Sequence, residues 1–465
     1  MIHRSGIGCG LALTLCLGGA AAAQTLDNSA VVDQDGADNA AVIDQIGLGN
    51  SAGTDLLPLS QDGYYNSLTL RQTGTGNSIG TAGVGVLQRS LFGSPDRFND
   101  ARITQDGAHN RVDEVVQQTA GPAPGAGNRL VLEQAGGDHN TIRRVDQYQQ
   151  AGMPGQSADV TMLGFGNHLD LLQQESASDL MAAENTIFAL FEGDVNGTAA
   201  LRGHAGETGA IAGTLIQRRG TEDTGANGNQ MQLEILGHAT AFGILQRGRL
   251  NRTGAVIVTG DGNALGLAQD GTENDIVMSL IEGNDNEAGI SQLGTNVAEL
   301  ALLGDSDANR VLIEQMGSSD ARIAIEGSRN HAVTRQGYAA GLGGTNRAET
   351  VIAGDDNLAD LRQEGRNRFA LTIAGSGNNT AGGFSVTAPP GMTAGSFVQE
   401  GFGNTATAGI LGDANLAAFW QQGLDNAITL SVQGGRNEAI LRQIGNGNAA
   451  GLIQNGEANV AVIQQ

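Results

Sequence analysis

The side chains that recur at a fixed spacing in this chain are amides. Asparagine returns every 11 residues from Asn415 to Asn459, and glycine keeps the same step from Gly423 to Gly456. A glutamine often follows the asparagine by six residues, as Gln421 follows Asn415. Because a primary amide both donates and accepts, equal amides stacked at the strand spacing of about 4.8 Å can bond to one another in a row. The pattern predicts amide ladders, which serve self-association rather than catalysis.

The predicted ladder residues are the asparagine and glutamine of nine such units. They are Asn39, Gln45, Asn66, Gln72, Asn263, Gln269, Asn309, Gln315, Asn357, Gln363, Asn415, Gln421, Asn437, Gln443, Asn448, Gln454, Asn459 and Gln465. A buried amide without a partner costs about 1–3 kcal/mol, and Asn/Gln ladders avoid that cost in cross-β stacks. The alternative, that asparagine only marks turns, does not account for glutamine six residues later.

Catalytic and metal chemistry have weaker support. The seven histidines follow no ligand spacing, and no phosphate-binding loop, zinc motif or nucleophile elbow is present. Four acidic turns place Asp194, Asp261, Asp355 and Asp413 at corresponding positions, and Asp305 is similar. Stacked carboxylates could bind calcium, but solvated turn acids that oppose incorrect stacking are the preferred interpretation. We expect no enzymatic activity, no cofactor and no metal.

The amide spacing requires β-strands to position it. After Asn357, Ala359 and Leu361 fall on one face of an alternating pattern. The intervening residues Asp360 and Arg362 fall on the other face, as period-2 alternation demands. A glycine two residues after the glutamine supplies the permissive backbone of a tight turn. Each unit of 11 residues is therefore predicted to be one strand and one turn.

Two such units make one coil, because units with Gln and units with Ile or Val at the sixth position alternate toward the C-terminus. The fold prediction is an all-β solenoid with parallel cross-β-like coils of about 22 residues and two short strands per coil. The solenoid is predicted for residues 24–465. Stretches rich in Gly or Pro near 51–60, 119–127, 202–228 and 379–398 are predicted as inserted loops.

The N-terminus is typical of a secretory signal peptide over residues 1–23. Arg4 supplies the positive charge, Ile7 to Leu17 the apolar stretch, and Ala21 to Ala23 the small-residue cleavage site. A membrane anchor or a lipoprotein site is the alternative. Cleavage after Ala23 would remove both cysteines of the chain, so an exported protein without disulfides is expected.

Charge and aromatic content restrict the partners. With 25 basic and 49 acidic residues the net charge is -24, and loss of Arg4 gives 24 - 49 = -25. Nucleic acid is disfavoured, because phosphate recognition requires basic patches. The alternative function is a monomeric secreted β-solenoid that binds or degrades polysaccharide. Sugar sites favour exposed aromatic rings, and here Trp420 is the only tryptophan. It is expected to point outward beside an inward Phe419, where it could mark a contact surface.

The repeat resembles that of curlin, the subunit of bacterial curli fibres. The family pattern Gln-x-Gly-x-x-Asn-x-Ala-x-x-x-Gln is matched by Gln34–Gln45 and by Gln443–Gln454. The resemblance implies export through the outer membrane by dedicated machinery and assembly into extracellular, cell-surface amyloid for adhesion and biofilm. It also implies self-association, association with other curlin-like subunits, and surface or matrix ligands as partners. This chain is much longer than the usual family subunit and often has Asn where family strands begin with Ser.

The repeat continues through the final residues, "NVAVIQQ". An uncapped strand is a template for another chain, so we expect end-to-end growth with Asn415–Gln465 at the interface. The negative charge opposes such growth, and we expect moderate salt or acid to speed assembly.

Overall fold

The computed structural model describes residues 12–16, 27–91, 99–120, 127–149, 155–175, 184–218, 228–337, 345–380 and 382–465. The chain divides into two compact units. The first comprises 1–200, 211–252 and 270–272, and the second comprises 201–210, 253–269 and 273–465. Among the described residues both units consist of parallel β-strands with one short helix, which confirms the predicted all-β solenoid class.

The strands of the first unit run from β1 to β20. They are β1 (Ala12–Cys16), β2 (Ser29–Ala30), β3 (Val32–Ala37), β4 (Ala40–Leu48), β5 (Ser51–Ala52), β6 (Leu59–Tyr64), β7 (Ser67–Thr75), β8 (Ser78–Ile79), β9 (Val86–Ser90), β10 (Asp100–Ala108), β11 (Arg111–Thr119), β12 (Arg129–Ala135), β13 (Thr141–Gln149), β14 (Gln156–Leu163), β15 (His168–Leu169), β16 (Leu171–Glu175), β17 (Asn185–Phe191), β18 (Thr214–Arg218), β19 (Gln230–Ile235) and β20 (Ala241–Arg249).

The second unit holds the helix α1 (Gly203–Glu207) and the later strands, with β21 and β22 having residues in both units. These strands are β21 (Arg252–Thr259), β22 (Ala264–Thr272), β23 (Asp275–Glu282), β24 (Glu287–Gly294), β25 (Val297–Leu303), β26 (Arg310–Glu326), β27 (His331–Gly337), β28 (Thr345–Ala353), β29 (Leu358–Ala374), β30 (Ser396–Leu411), β31 (Leu416–Leu424), β32 (Ala427–Gln433), β33 (Glu438–Asn446), β34 (Ala449–Asn455) and β35 (Val460–Gln464).

Within each unit, successive strands alternate between two rows, and each strand pairs in parallel with its equivalent one coil later. In the second unit β31 pairs with β33 and β33 with β35, while β30 pairs with β32 and β32 with β34. The pairing of β32 with β34 is in register over its whole length, from Ala427 opposite Ala449 to Gln433 opposite Asn455. This register places like residues above like residues, as the repeat requires.

The coil length differs from the prediction in the first unit. Stacked glutamines are 22 residues apart from Gln399 to Gln465, as predicted. They are 27 to 30 residues apart from Gln34 to Gln174. A coil of 22 residues is therefore wrong for most of the first unit, because extra residues enter its connections while the strand register is kept.

The core is a narrow stack of inward-facing alternate residues. Leu361, Phe397, Phe419 and Leu441 are buried, and they lie one above another in successive coils. The rings of Phe397 and Phe419 are 5.4 Å apart, and Phe369 lies 5.1 Å from Phe419. The second, fourth and sixth residues after each asparagine point inward, so the alternation of the strand by itself determines which side chains form this core.

The predicted loops need corrections. The interval 202–228 was predicted as one loop but contains α1 and β18, because the β18 strand keeps its glutamine, Gln217, without a preceding asparagine to mark it. The loop predicted for 379–398 ends before residue 398, because β30 begins at Ser396. The loop predicted near 51–60 is shorter than expected, because β5 ends at Ala52 and β6 begins at Leu59. Most of 119–127 and most of the predicted signal peptide lie outside the described residues, although β1 pairs with β4.

Candidate functional site

One row of glutamine side chains follows the stack in each unit. Each glutamine except the last of its row donates its Nε2 to the Oε1 of the glutamine one coil later. In the second unit these distances are 2.7 to 3.1 Å. The row in the first unit is Gln34, Gln61, Gln88, Gln117, Gln147, Gln174, Gln217 and Gln246. The row in the second unit is Gln269, Gln292, Gln315, Gln336, Gln363, Gln399, Gln421, Gln443 and Gln465.

A second bond explains why this row uses glutamine. Gln421 Nε2 also donates to the carbonyl of Thr405, 3.1 Å away at the start of the facing strand segment. Gln363 Nε2 reaches the carbonyl of Arg347 at 3.3 Å in the same way. The longer glutamine side chain thus spans the interior, and both amide hydrogens are used. A narrow core can bury these amides because each one is satisfied.

The facing row, which we call the second row, begins with amides and then changes. Gln45, Gln72, Gln105 and Gln134 are stacked through bonds of 2.7 to 2.9 Å in the first unit. Apolar side chains then take the same register position: Met162, Phe191 and Ile235 in the first unit, and Ile281, Leu302, Ile325, Ile352, Ile373, Ile410 and Val432 in the second. Gln454 follows Val432 in this row. The predicted glutamines therefore belong to two different rows.

Asparagines form rows at the turns. The Oδ1 of Asn415 accepts the backbone N–H of Asn437 at 3.0 Å, and its Nδ2 donates to the Gly434 carbonyl at 2.8 Å. Asn426 Nδ2 also donates to the carbonyl of Gln422 within its own turn, at 3.4 Å. The asparagine thus closes its turn and ties that turn to the next coil.

The predicted asparagines fall into these turn rows. Asn39 is followed by Asn66, and Asn448 is preceded by Asn426. The other row of the second unit is Asn263, Asn286, Asn309, Asn330, Asn357, Asn378, Asn415, Asn437 and Asn459. Of the predicted ladder residues, Asn448 is half-buried and Asn459 and Gln465 are exposed, whereas the rest are buried.

The turn itself explains the glycine. Gly423 has φ of +121°, and the residue just before Asn426, Asp425, has φ of +52°. A Cβ on Gly423 would lie 1.9 Å from the carbonyl oxygen of Gly445, the equivalent glycine one coil later. Glycine is thus required both by the backbone angle and by the close approach of stacked turns.

The acidic turns serve as hydrogen-bond acceptors between coils. Asp355 Oδ1 accepts the Ser328 N–H at 2.8 Å, and Asp413 Oδ1 accepts the Ser376 N–H at 2.8 Å. Each carboxylate therefore binds a backbone donor of the preceding turn. In the part of the chain that the structure describes, no group of three or more His, Cys, Asp or Glu side chains is arranged to hold a metal ion.

Two histidines missed by sequence reasoning meet in the second unit. His204 lies on α1 and His331 begins β27, yet their Nε2 atoms are 2.9 Å apart. Burial, and then the nearby His204, lower the pKa of His331. The residues are 127 positions apart, and His204 lies in an insertion with no repeat pattern. No sequence signal could have paired them.

Trp420 points outward, but it is not an open contact surface. An apolar cluster of Met392, Ala418 and Ile440 lies outside the coil, and Trp420 packs against it together with Phe384. Met392 and Phe384 come from the insertion that precedes β30, whereas Ala418 and Trp420 belong to β31 and Ile440 to β33. The insertion therefore builds a small second core on the outer face of the coils.

Comparisons with known proteins gave no match among family models, curated proteins or solved structures. No helix in the described part of the chain is long and apolar enough to span a membrane.

Proposed function

We propose that this chain is a secreted structural protein that self-assembles at the cell surface into a curli-like functional amyloid for adhesion and biofilm matrix. The observation that carries the proposal is the glutamine row, in which identical amides stack in register within each unit. Rows of this kind are the side-chain bonding that stabilises cross-β assemblies. The resemblance of the repeat to curlin supports the same class.

The direction of the amide bonds adds a constraint on assembly. Each glutamine before the last of its row directs its Nε2 toward the coil of higher residue number, as Gln399 donates to Gln421 and Gln421 to Gln443. Coils that dock between chains in the same way must therefore stack head to tail with parallel strands. Such a heterologous contact does not close on itself and generates filaments.

Assembly of residues 24–465 tests the proposal. The chain is purified in denaturant, diluted, and followed by thioflavin fluorescence, electron microscopy and fibre diffraction. We expect filaments with reflections near 4.8 Å and about 10 Å, the strand and sheet spacings. Because residues 24–465 carry 24 basic and 49 acidic residues, a net charge of -25, moderate salt should shorten the lag phase. A chain that stays monomeric in analytical ultracentrifugation at high concentration and salt would contradict self-assembly and leave the monomeric polysaccharide-binding solenoid as the better interpretation.

Export is tested separately. The full chain is expressed in a Gram-negative host that carries curli export machinery, and extracellular protein is collected. We expect the recovered protein to begin at Gln24, after cleavage of the predicted signal peptide. Retention of residues 1–23, or accumulation only inside the cell, would contradict the secreted assignment without bearing on whether the purified chain assembles.

A further inference from the structure

The α1 insertion, residues 201–210, docks on outward-facing glycines of the second unit. A Cβ on Gly266 would lie 2.0 Å from the carbonyl oxygen of Ala205, and one on Gly289 would lie 2.2 Å from that of His204. Neither glycine has the positive φ that a turn requires. Their lack of a side chain is therefore explained by the close approach of α1, so the docking of this insertion is built into two separate coils.

Docking brings two imidazole nitrogens to one point. The Nε2 atoms of His204 and His331 are 2.9 Å apart, and the ring planes are inclined by 41°. The His204 side chain is only 13% exposed, and its Nδ1 lies 3.2 Å from Oε2 of Glu207. This contact is electrostatic, because His204 Nδ1 makes no hydrogen bond among the described residues. The negative charge beside Nδ1 favours a proton on that nitrogen, which would leave the lone pair on Nε2.

The arginines around this point are paired with carboxylates, although Arg310 and Arg335 still contribute to lowering the pKa of His331. Glu287 is shared between Arg202, at 3.7 Å, and Arg310, at 3.4 Å. Beside His331, Arg335 pairs with Asp360 at 3.4 Å. Those arginines are thus paired with carboxylates. Among the described residues Glu207 pairs instead with His204.

We propose that His204 and His331 bind one divalent transition-metal ion through their Nε2 atoms and so fasten the α1 insertion to the coils. Imidazole pairs favour Zn²⁺, Ni²⁺ and Cu²⁺ over the oxygen-seeking Ca²⁺ and Mg²⁺. The Glu207 carboxylate lies 3.2 Å from Nδ1 of His204, where it would hold the Nδ1 proton once the ion is bound, as carboxylates commonly do beside a metal-bound histidine. With two protein ligands, water completes the coordination. The ion replaces the single proton that the two nitrogens otherwise share.

Calorimetric titration of the untagged, metal-free chain with Ni²⁺ and Zn²⁺ tests the site at neutral pH, with Ca²⁺ as the comparison. We expect one equivalent of Ni²⁺ or Zn²⁺, and Cu²⁺ bound to the same chain should show nitrogen couplings from two imidazoles in electron paramagnetic resonance. His204→Gln and His331→Gln should each remove this equivalent. Glu207→Gln should weaken it about tenfold, the effect of losing a group that orients a ligand.

His109→Gln is the matched control, because His109 stacks on His139 with ring centroids 5.1 Å apart and belongs to the first unit, whereas α1 belongs to the second. It should leave the affinity unchanged. Circular dichroism establishes that each variant keeps its strands. Equal weakening by His109→Gln, several weak equivalents spread over the chain, or binding unaffected by His331→Gln would overturn the proposal.

Limited proteolysis gives a second readout that does not depend on stoichiometry. Arg202 is about half-exposed beside α1, and trypsin cleavage there requires the insertion to lift from the coils. Zn²⁺ should slow this cleavage in the parent chain and have no effect in His331→Gln. Equal protection of both chains would mean that the ion does not fasten the insertion. Since the test concerns a site on one chain, it stands whether or not the chain forms filaments.

Discussion

The glutamine row and the second row occupy the same register position in facing strands, yet they tolerate different chemistry. The glutamine row has glutamine at each of its eight places in the first unit and nine in the second. The second row passes from glutamine through Met162 and Phe191 to Ile, Leu and Val. An apolar side chain of roughly suitable volume is enough to fill a position in the second row.

The two rows differ because hydrogen bonds are directional and need a matching partner, whereas apolar burial does not. An apolar side chain contributes about 1.5–3 kcal/mol on burial whatever its neighbour, so Ile410 can lie between Ile373 and Val432 without matching them. An amide contributes a net 0.5–1.5 kcal/mol or so per hydrogen bond but costs about 1–3 kcal/mol when its partner is missing. The second row therefore supplies stability, and the glutamine row supplies register.

The largest effect is expected from breaking the turn that both rows share. Gly423→Ala places a Cβ against the Gly445 carbonyl at a φ of +121°. We expect a loss of about 4 kcal/mol or more in the free energy of unfolding, measured by urea titration. Gly409→Ala is the control, because no atom lies within 4 Å of its Cβ and the backbone is ordinary. It should change stability by less than about 1 kcal/mol. Similar losses from both variants would contradict the steric account.

The second prediction transfers an amide into the apolar part of the second row. Ile410→Gln buries an amide between Ile373 and Val432, which offer it no partner. We expect a loss of about 3 kcal/mol in urea-unfolding free energy, from the unmet hydrogen bonds and the lost apolar contact. Ile410→Val, which keeps the apolar character, should cost about 1 kcal/mol. A Gln variant as stable as the Val variant would show that the two rows are interchangeable.

The third prediction removes one amide from the glutamine row. Gln421→Leu takes the acceptor from Gln399 Nε2 and the donor from Gln443 Oε1. We expect the free energy of unfolding to fall by about 2 kcal/mol. The double variant Gln421→Leu with Gln443→Leu should cost less than the sum of the two single variants, because each change removes a group that the other leaves unpaired. Strict additivity in a double-mutant cycle would argue against bonding along the row.

The smallest effects are expected on the outer face. Arg442 is half-buried, and its guanidinium lies 6.0 Å from the Trp420 ring centroid, so Arg442→Ala should cost about 0.5–1 kcal/mol. Thr429 is exposed on β32, and Thr429→Ala should stay within about 0.5 kcal/mol. Thermal unfolding of the two variants checks both values. A Thr429 effect as large as that of Gln421→Leu would undermine the assignment of inward and outward faces.

The sequence by itself determined the strand faces, the turns and the class of fold. The 11-residue step from Asn415 to Asn459 and the alternation after Asn357 are local properties. A period of two fixes which side chains point inward, and glycine at a fixed offset fixes where the chain turns. The alternation of Gln421 with Val432 likewise anticipated that one coil holds two different rows.

Tertiary structure decided what insertions do. Coil length in the first unit, the placement of β18 within 202–228, and the cover over Trp420 depend on connections that carry no repeat. The meeting of His204 with His331 depends on α1 lying across several coils. Sequence period specifies contacts between one coil and the next, because those contacts recur. A contact made once, between an irregular segment and a distant strand, has no period and is fixed only when the coils are stacked.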